Sequence, residues 1–165
     1  MHFFLNERSL NIPVNGDAEI AMVRHYESLG YRVFHQTFNV LYSHDTSKYA
    51  DVDAIVKQLF GAQTLGIVDR FCRTIYPGDG VTGITPGHPD LLVFKEDSND
   101  VFFCEVKQGN KDRLTVGEMV GISLIHAFLQ TPVDVVRLNA KARSYRWIWP
   151  AMQHLHPVKV IDLSQ

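Results

Sequence analysis

The spacing of apolar residues near the start of the chain predicts an amphipathic helix over residues 18–29. Apolar side chains recur there at a period close to 3.6 residues, at Ala18, Ala21, Met22, Tyr26 and Leu29. Asp17 is a favourable N-cap for this helix, and Gly30 is a residue type that commonly follows a helix end. The next segment, YRVFHQTF, is rich in aromatic and β-branched residues and predicts a strand.

The middle of the chain predicts two further helices, over residues 50–60 and 63–76. The second has a broad apolar side, formed by Leu65, Val68, Phe71, Cys72 and Ile75. The glycines and prolines of PGDGVTGITPGHP, residues 77–89, predict an irregular loop. Two short apolar runs, LLVF and VFFC, then flank the polar connector KEDSND, which predicts an antiparallel hairpin.

The last part of the chain predicts a helix over about residues 116–130, ended by Pro132, and a strand at VDVVRL. The order of elements is therefore α, β, α, α, β, β, α, β. This order favours an α/β fold with a mixed β-sheet flanked by helices. We expect one domain over residues 1–165, with the helical pair at about 50–76 as an insertion.

Length and composition restrict the class of protein. The 165 residues suffice for a single domain with a hydrophobic core, but no apolar run reaches the roughly 18 residues of a membrane-spanning helix. The start, MHFFLNERSL, lacks the basic and long apolar regions of a signal peptide. Cys72 and Cys104 lie in apolar runs, which indicates buried thiols in a reducing compartment. These features predict a cytoplasmic protein without membrane association.

The net charge is only −2, so overall electrostatics do not indicate a nucleic-acid partner. The distribution of charge is less even, because seven Lys and Arg residues and four Asp and Glu residues lie between Phe103 and Arg146. This local excess predicts a basic face, with candidate DNA contacts at Lys111, Arg113, Arg143 and Arg146. A solvated surface of mixed charge is the alternative explanation for such counts.

Charged residues stand at the ends of the two apolar runs of the predicted hairpin. Asp90 opens the first run, and Glu105 and Lys107 close the second. Side chains alternate along a strand, so Glu105 and Lys107 share one face and lie about 6.5 Å apart. A hairpin brings Asp90 to the same point, where two carboxylates repel each other unless a cation holds them.

A hard divalent cation, Mg²⁺ or Mn²⁺, suits these oxygen ligands, with the backbone carbonyl of Val106 as a third. Lys107 would stand beside the metal, where it can orient or deprotonate a water molecule. A metal that lowers the pKa of water and stabilises charge at phosphorus suits hydrolysis of a phosphodiester. The residues alone therefore predict metal-dependent hydrolysis.

Three motifs in order resemble a known family: G-x-P-D-L from Gly87, E-V-K from Glu105, and KDRLTVGE from Lys111. They resemble the PD-(D/E)xK nuclease superfamily, and within it the virus-type replication-repair nuclease (VRR-NUC) domains. The upstream segment VDAIVKQLFGAQTLGIVDRFCR is similar to the helical segment before the same motif in the Fanconi-associated nuclease, another member. The resemblance implies a restriction-endonuclease-like core of order αβββαβ and a metal-dependent DNA endonuclease.

The resemblance also implies roles for individual residues. Asp90 and Glu105 would bind the metal together with the Val106 carbonyl, and Lys107 would position the nucleophilic water. Glu19 matches the acidic residue of the family's first helix by position, and it would support a metal-bound water or a second cation.

Glu118 departs from the family pattern, which usually has Gln at this position. One interpretation makes Glu118 an active-site residue that holds water or metal. The other makes it the third residue of a capping box with Thr115 as the N-cap, because T-x-x-E is the signature of that motif. The two roles do not exclude each other.

The family favours branched DNA, such as four-way (Holliday) junctions or flaps, in replication, repair or recombination, and a phage origin is compatible with it. We expect a homodimer with two-fold symmetry, because a four-way junction needs two matched cuts. The apolar side of helix 63–76 and the alternating Tyr145, Trp147 and Trp149 are candidate interface surfaces.

Several alternatives stay open at this point. The three aromatic residues at 145, 147 and 149 can instead complete the core of a monomer or stack on bases. His88 is either a structural loop residue or a DNA contact. A nuclease of the same fold that acts on RNA, and a non-catalytic nucleic-acid-binding protein, are the alternative functions.

Overall fold

The computed structural model describes residues 2–76, 84–148 and 159–162. In chain order its elements are β1 (His2–Asn6), β2 (Arg8–Leu10), α1 (Ala18–Ser28), β3 (Arg32–His35), α2 (Ala50–Phe60), α3 (Ala62–Ile75), β4 (Leu91–Phe94), β5 (Val101–Gln108), α4 (Val116–Leu124), a π-helical turn (Ile125–Leu129), β6 (Val133–Leu138), β7 (Ser144–Ile148) and β8 (Lys159–Asp162).

Two β-sheets organise these elements. The larger sheet has five strands in the order β2-β6-β5-β4-β3. Within it, β3 pairs antiparallel with β4 and β4 with β5, whereas β6 pairs in parallel with both β5 and β2, so the sheet is mixed. The smaller sheet is antiparallel and has the strand order β1-β7-β8.

Helices cover both faces of the five-stranded sheet. On one face, Met22 and Tyr26 of α1 pack in a cluster with Leu91. On the other face, residues of α2, α3 and α4 pack in a second cluster with Leu92 and Phe103. Because both faces are covered, all four residues of β4 are buried, which explains the unbroken apolar run LLVF. The predicted α/β class, a mixed sheet flanked by helices, is confirmed.

The capping residues of the first helix are confirmed. The side chain of Asp17 accepts hydrogen bonds from the backbone N–H groups of Glu19 and Ile20, which have no partner inside the helix. Gly30 follows the helix with a φ of 82°, a left-handed conformation that glycine adopts without steric cost. Local sequence signals therefore set both ends of α1.

The predicted hairpin is confirmed as β4 and β5, with Leu91 opposite Cys104. The helices α2 and α3 match their predicted ranges to within one residue. The strand predicted over YRVFHQTF is shorter than expected, because the backbone of Gln36 turns into the left-handed region, with a φ of 53°. Residues 77–83 of the predicted irregular loop lie outside the described residues.

The helix predicted over residues 116–130 is not regular. It is α-helical as far as Leu124 and π-helical from Ile125 to Leu129. Leu124, at the end of the α-helical part, and Phe128, in the π-helical turn, pack in the same hydrophobic cluster. In the part of the chain that the structure describes, no helix is long and apolar enough to cross a membrane.

The sequence pattern did not predict the smaller sheet. Its strand β7 carries Tyr145 and Trp147, which are buried in a cluster with Leu5 and Met119. Their alternation is the core-facing side of a strand, so these two aromatic residues complete the core of the chain and are not surface groups. Trp149 lies outside the described residues.

A buried ion pair joins the two sheets. Glu7, between β1 and β2, accepts hydrogen bonds from Arg137 of β6 at 2.7 Å and from Tyr145 of β7 at 3.0 Å. Removing one partner of such a pair leaves an uncompensated charge and costs about 3–5 kcal/mol. Because Arg137 is fully buried, it does not belong to the basic surface that the charge count predicted.

Candidate active site

The candidate site lies where β4 begins and β5 ends. Pairing between the two strands starts at Leu91, whereas β5 continues to Gln108. The backbone N–H of Val106 therefore has no partner on β4, and it donates instead to Oδ2 of Asp90 at 2.7 Å. The other oxygen of Asp90, Oδ1, accepts no hydrogen bond from the described residues, so it is available to a ligand.

The register of β5 also sets the direction of the Val106 carbonyl. The N–H of Phe103 donates to the carbonyl of Pro132, so the odd-numbered backbone groups of β5 face β6. Even-numbered groups, including those of Val106, face the side of β4, which does not extend that far. The Val106 carbonyl thus points to the same edge as the Asp90 carboxylate, as its predicted ligand role requires.

Glu105 and Lys107 lie on the face of β5 that α4 covers. Both residues are buried: Glu105 is 3% exposed and Lys107 is 5% exposed. Lys107 Nζ lies 2.8 Å from Glu105 Oε1 and 3.0 Å from Glu118 Oε1. The predicted neighbours therefore meet, and a second carboxylate, that of Glu118, also contacts the ammonium group.

Glu118 has the capping role that the sequence left open, and its side chain also contacts Lys107. Its Oε2 accepts the backbone N–H of Thr115 at 2.7 Å, and the Thr115 hydroxyl accepts the backbone N–H of Glu118, which is a complete capping box. Its Oε1 accepts from Lys107. Glu118, a member of the capping box of α4, thus also holds Lys107 in place.

Glycine contacts hold the loop that carries Asp90 against α4. The Gly87 N–H donates to the Gly117 carbonyl at 2.7 Å. A Cβ atom added at Gly121 would lie 1.7 Å from the carbonyl oxygen of Gly87, so only glycine permits this approach. The sequence pattern did not single out Gly117 and Gly121, although two glycines four residues apart on one helix face are a signal for close backbone packing.

Glu19 stands in the first turn of α1, on the opposite face of the sheet. Its Oε2 accepts hydrogen bonds from His35 Nε2 and, at 3.0 Å, from Gln36 Nε2. His35 lies opposite Leu91 in the sheet, and Leu91 adjoins Asp90. The structure therefore places Glu19 near Asp90 and adds two neighbours that the sequence did not indicate.

The two metal-ligand candidates of the strands are difficult to ionise together. Burial raises the pKa of Asp90 to about 6, and the charge of Glu19 adds to the effect. Burial, followed by the charge of Asp90, raises the pKa of Glu105 to about 8. For Lys107, burial lowers the pKa, but the carboxylates of Glu105 and Glu118 outweigh it, and the net pKa is raised.

These groups fit a divalent cation. A cation between Asp90 and Glu105 would remove the repulsion that raises their pKa values. No group of three His, Cys, Asp or Glu side chains within residues 2–76, 84–148 and 159–162 could hold a metal ion by itself. Two carboxylates and one backbone carbonyl still match Mg²⁺, which keeps several water ligands and uses one or two carboxylates.

His88, at the variable position of the G-x-P-D motif, makes its contacts inside the protein. Its Nε2 accepts the backbone N–H of Val40 at 3.2 Å, and its Nδ1 donates to the carbonyl of Pro89 at 2.9 Å. The ring packs edge-on against Phe38, and burial lowers the pKa of His88 to about 4. A neutral ring that fixes the loop is therefore favoured over a DNA contact.

The four candidate DNA contacts fall into two groups. One group surrounds the segment 109–115 between β5 and α4, here called the basic loop, and consists of Lys111, Arg113 and Arg143. Arg143 comes from the β6–β7 connection and donates to the Asn110 carbonyl of the basic loop. The fourth, Arg146, lies on β7 opposite Phe4, in the smaller sheet. Of the two groups, only the first adjoins Lys107. The contact is made by Asp112 of the basic loop, whose Oδ1 lies 3.8 Å from Lys107 Nζ.

Comparison with known proteins provides no relative. No protein-family model, no curated protein and no solved structure matches the chain. The residues of the site and the motifs that carry them are therefore the basis for assigning a function.

Proposed function

We propose that the protein is a metal-dependent DNA endonuclease of the PD-(D/E)xK superfamily, of the VRR-NUC type, with a restriction-endonuclease-like core. The observation that carries the proposal is the convergence of Asp90, Glu105 and Lys107 at one strand end. Burying two carboxylates and an ammonium group costs free energy, which a purely structural role would not require. Their placement beside a free carboxylate oxygen and a backbone carbonyl supports a site for Mg²⁺ or Mn²⁺.

Lys107 acts as a cation and a hydrogen-bond donor in this proposal. Its pKa is raised by Glu105 and Glu118, so it stays protonated near neutral pH and does not serve as a general base. When a phosphate enters, the ammonium group can donate to the attacking water or to a phosphate oxygen while Glu118 keeps it in place. Of the two roles considered for Lys107, orienting the water is the better supported.

Asp90 and Glu105 hold the cation, with the Val106 carbonyl as the third protein ligand. When bound, Mg²⁺ or Mn²⁺ supplies Lewis-acid stabilisation of charge at phosphorus and lowers the pKa of water. Glu19 supports the site from the α1 face. The basic loop adjoins the site and is suited to contact the phosphates next to the scissile one.

Branched DNA, such as four-way junctions or flaps, is the proposed substrate, and a homodimer is the proposed active form. DNA as the substrate class comes from the family resemblance. Contacts from the basic loop would go to backbone phosphates, which carry no sequence information, and this is consistent with recognition of DNA structure. A two-fold dimer would present two such sites to a junction that is itself nearly two-fold symmetric.

A cleavage panel tests the proposal. The purified chain is mixed with end-labelled linear duplex, flap, splayed-arm and four-way DNA, and with matching RNA, in Mg²⁺, Mn²⁺ or EDTA. We expect metal-dependent cleavage of branched DNA, reduced on the order of 10³-fold in Asp90→Asn, Glu105→Gln and Lys107→Met. Glu27→Gln, an exposed change on α1, is the matched control and should cleave like the wild type.

Three kinds of result would contradict the proposal. Full activity in EDTA, or cleavage by the Asp90 and Glu105 variants at the wild-type rate, would remove the metal site from the mechanism. Cleavage of RNA in preference to every DNA would transfer the same chemistry to the alternative substrate. No cleavage of any substrate, together with tight nucleic-acid binding, would favour the non-catalytic alternative.

A further inference from the structure

Polar side chains also meet at the strand ends on the α1 face of the five-stranded sheet. Glu19 in α1 receives hydrogen bonds from two consecutive residues, His35 and Gln36, at the end of β3. His35 is paired with Leu91, the residue after Asp90. This second group therefore adjoins the candidate metal site from the face opposite Glu105.

Both hydrogen bonds reach the same oxygen of Glu19. His35 Nε2 and Gln36 Nε2 both contact Oε2, and within the described part of the chain no donor contacts Oε1. Because a carboxylate only accepts, the contacting ring nitrogen of His35 must carry the proton. Two donors on one oxygen fix the orientation of the carboxylate and leave the other oxygen for a ligand.

The backbone of Gln36 also supports a specific role for its side chain. Its φ of 53° lies in the left-handed region, which is unfavourable for a residue with a Cβ atom. Glycine would suit this backbone better, yet the chain has a glutamine whose side-chain amide reaches Glu19. Strained residues of this kind concentrate at functional sites.

We propose that His35 and Gln36 are positioning residues that fix the carboxylate of Glu19 beside the candidate metal site, so that its second oxygen can hold a water ligand of the divalent cation. This inference rests on the proposed metal site. It extends the site by His35, the last residue of β3, and by Gln36, the residue after it. The hydrogen bonds that these two residues donate to Glu19 would then contribute to the metal affinity. Partners that orient a metal ligand typically change metal affinity by about 10–100-fold.

Binding of Mn²⁺ to the intact chain, measured by isothermal titration calorimetry, tests the inference without reference to cleavage. We expect His35→Leu to weaken Mn²⁺ binding about tenfold or more. His35→Gln should restore most of the affinity, because its amide nitrogen can donate to Glu19 as Nε2 of histidine does. His44→Leu, at an exposed histidine, is the control and should bind like the wild type.

Gln36→Gly separates positioning from stability. Glycine accepts the left-handed backbone, so the variant should melt at or above the wild-type temperature. It lacks the amide that contacts Glu19, so its Mn²⁺ affinity should fall several-fold. A purely structural role would leave Mn²⁺ affinity unchanged in this variant.

The outcomes distinguish this inference from the proposed function. If the wild type binds Mn²⁺, Asp90→Asn abolishes binding, and His35→Leu and Gln36→Gly bind like the wild type, the inference is wrong while the nuclease proposal stands. If the wild type binds no Mn²⁺ at millimolar concentration, both are wrong. Weakened binding in His35→Leu that His35→Gln does not restore also contradicts the inference, because the loss then does not follow the hydrogen bond.

Discussion

Glu105 has two neighbours that act on its ionisation in opposite directions. Burial, followed by the charge of Asp90, disfavours the carboxylate, whereas Lys107 at 2.8 Å favours it. The net pKa is raised, so repulsion and desolvation outweigh the ion pair in the metal-free protein. A charge that destabilises the fold is typical of a functional position, here the proposed metal site.

Replacing Glu105 should therefore change stability in a pH-dependent way. Its pKa is about 8 in the folded protein, against 4.5 for the free side chain. Between these values the folded protein keeps a proton that the unfolded chain releases, so the stabilisation present below pH 4.5 is lost as the pH rises through 8. Glu105→Gln does not titrate, so in EDTA at pH 8 it should melt about 3–6 °C above the wild type.

Thermal unfolding followed by circular dichroism measures this difference. The advantage of Glu105→Gln should shrink near pH 5, where the wild-type side chain is protonated in the folded state. Glu27→Gln, exposed on α1, should show no such pH dependence. A Glu105→Gln variant that melts below the wild type at pH 8 would mean that the ion pair with Lys107 dominates.

Among the elements, α4 connects most parts of the site. Its capping box places Glu118 against Lys107, and its glycines accept the loop that leads into Asp90. The short contact between Gly87 and Gly121 is made by backbone atoms, which cannot move aside as a flexible side chain does. The position of Asp90 therefore depends on a glycine on another element.

Gly121→Ala tests this dependence. A methyl group there overlaps the Gly87 carbonyl, so the loop must shift, and we expect a loss of about 1–3 kcal/mol in the free energy of unfolding. Gly66→Ala on α3 is the matched control, because nothing lies within 4 Å of its added Cβ atom. That control should be neutral or stabilised by up to about 1 kcal/mol, since alanine favours a helix.

Urea unfolding and Mn²⁺ binding measure the two consequences. Gly121→Ala should lower the midpoint of urea unfolding and also weaken Mn²⁺ binding, because Asp90 moves with the loop. A variant as stable as the wild type, with unchanged Mn²⁺ affinity, would show that the loop accommodates the methyl group without moving the carboxylate.

At the scale of the whole molecule, positive charge is distributed unevenly around the site. Arg137 is buried and Arg146 belongs to the smaller sheet, which leaves the basic loop as the positive surface nearest Lys107. We expect DNA affinity to fall steeply with salt, because phosphate contacts release counterions. Lys111→Ala combined with Arg113→Ala should make the slope of log K against log salt shallower by up to about 2.

Fluorescence anisotropy with a labelled four-way junction in EDTA measures this slope without cleavage. Arg24→Ala combined with Arg70→Ala, two exposed changes on α1 and α3, is the control with the same change in net charge. An equal change of slope in both double variants would mean that only net charge matters. An unchanged slope in the first would place the DNA-binding face elsewhere.

The proposed homodimer needs an exposed apolar surface, and the structure reduces the number of candidates. Tyr145 and Trp147 are buried within the chain, whereas Ile67 on α3 is 48% exposed. We therefore expect the dimer contact on α3. Light scattering at micromolar concentration should give twice the chain mass of 18.8 kDa, and Ile67→Glu should give the monomer.

Phe4→Glu is the comparison variant, because Phe4 is 68% exposed and lies on the smaller sheet, not on α3. It should leave the dimer intact. If Phe4→Glu dissociates the dimer and Ile67→Glu does not, the contact lies on the smaller sheet. A wild-type chain that stays monomeric, even on junction DNA, would end the homodimer proposal and favour flaps or single nicks as substrates.

The sequence by itself predicted the type and order of the elements from residue 18 to residue 138, though not all of their bounds, and it predicted that Asp90, Glu105 and Lys107 lie together. These features depend on local patterns: helix periodicity, caps, and strand alternation across a hairpin of fewer than about 20 residues. Alternation placed Glu105 and Lys107 on one face, and the short polar connector set β4 against β5. Interactions between near neighbours in the chain leave a periodic signal that can be interpreted without a structure.

Only the tertiary structure decided the contacts between distant segments. Glu7 and Arg137 are 130 residues apart, and no local pattern pairs them. The same holds for Gly121 against Gly87, for His35 and Gln36 around Glu19, and for the separation of Arg146 from the basic loop. Such contacts depend on how the sheets and helices pack against one another. The partner of each side chain is therefore set by the tertiary structure and not by the residues near it in the chain.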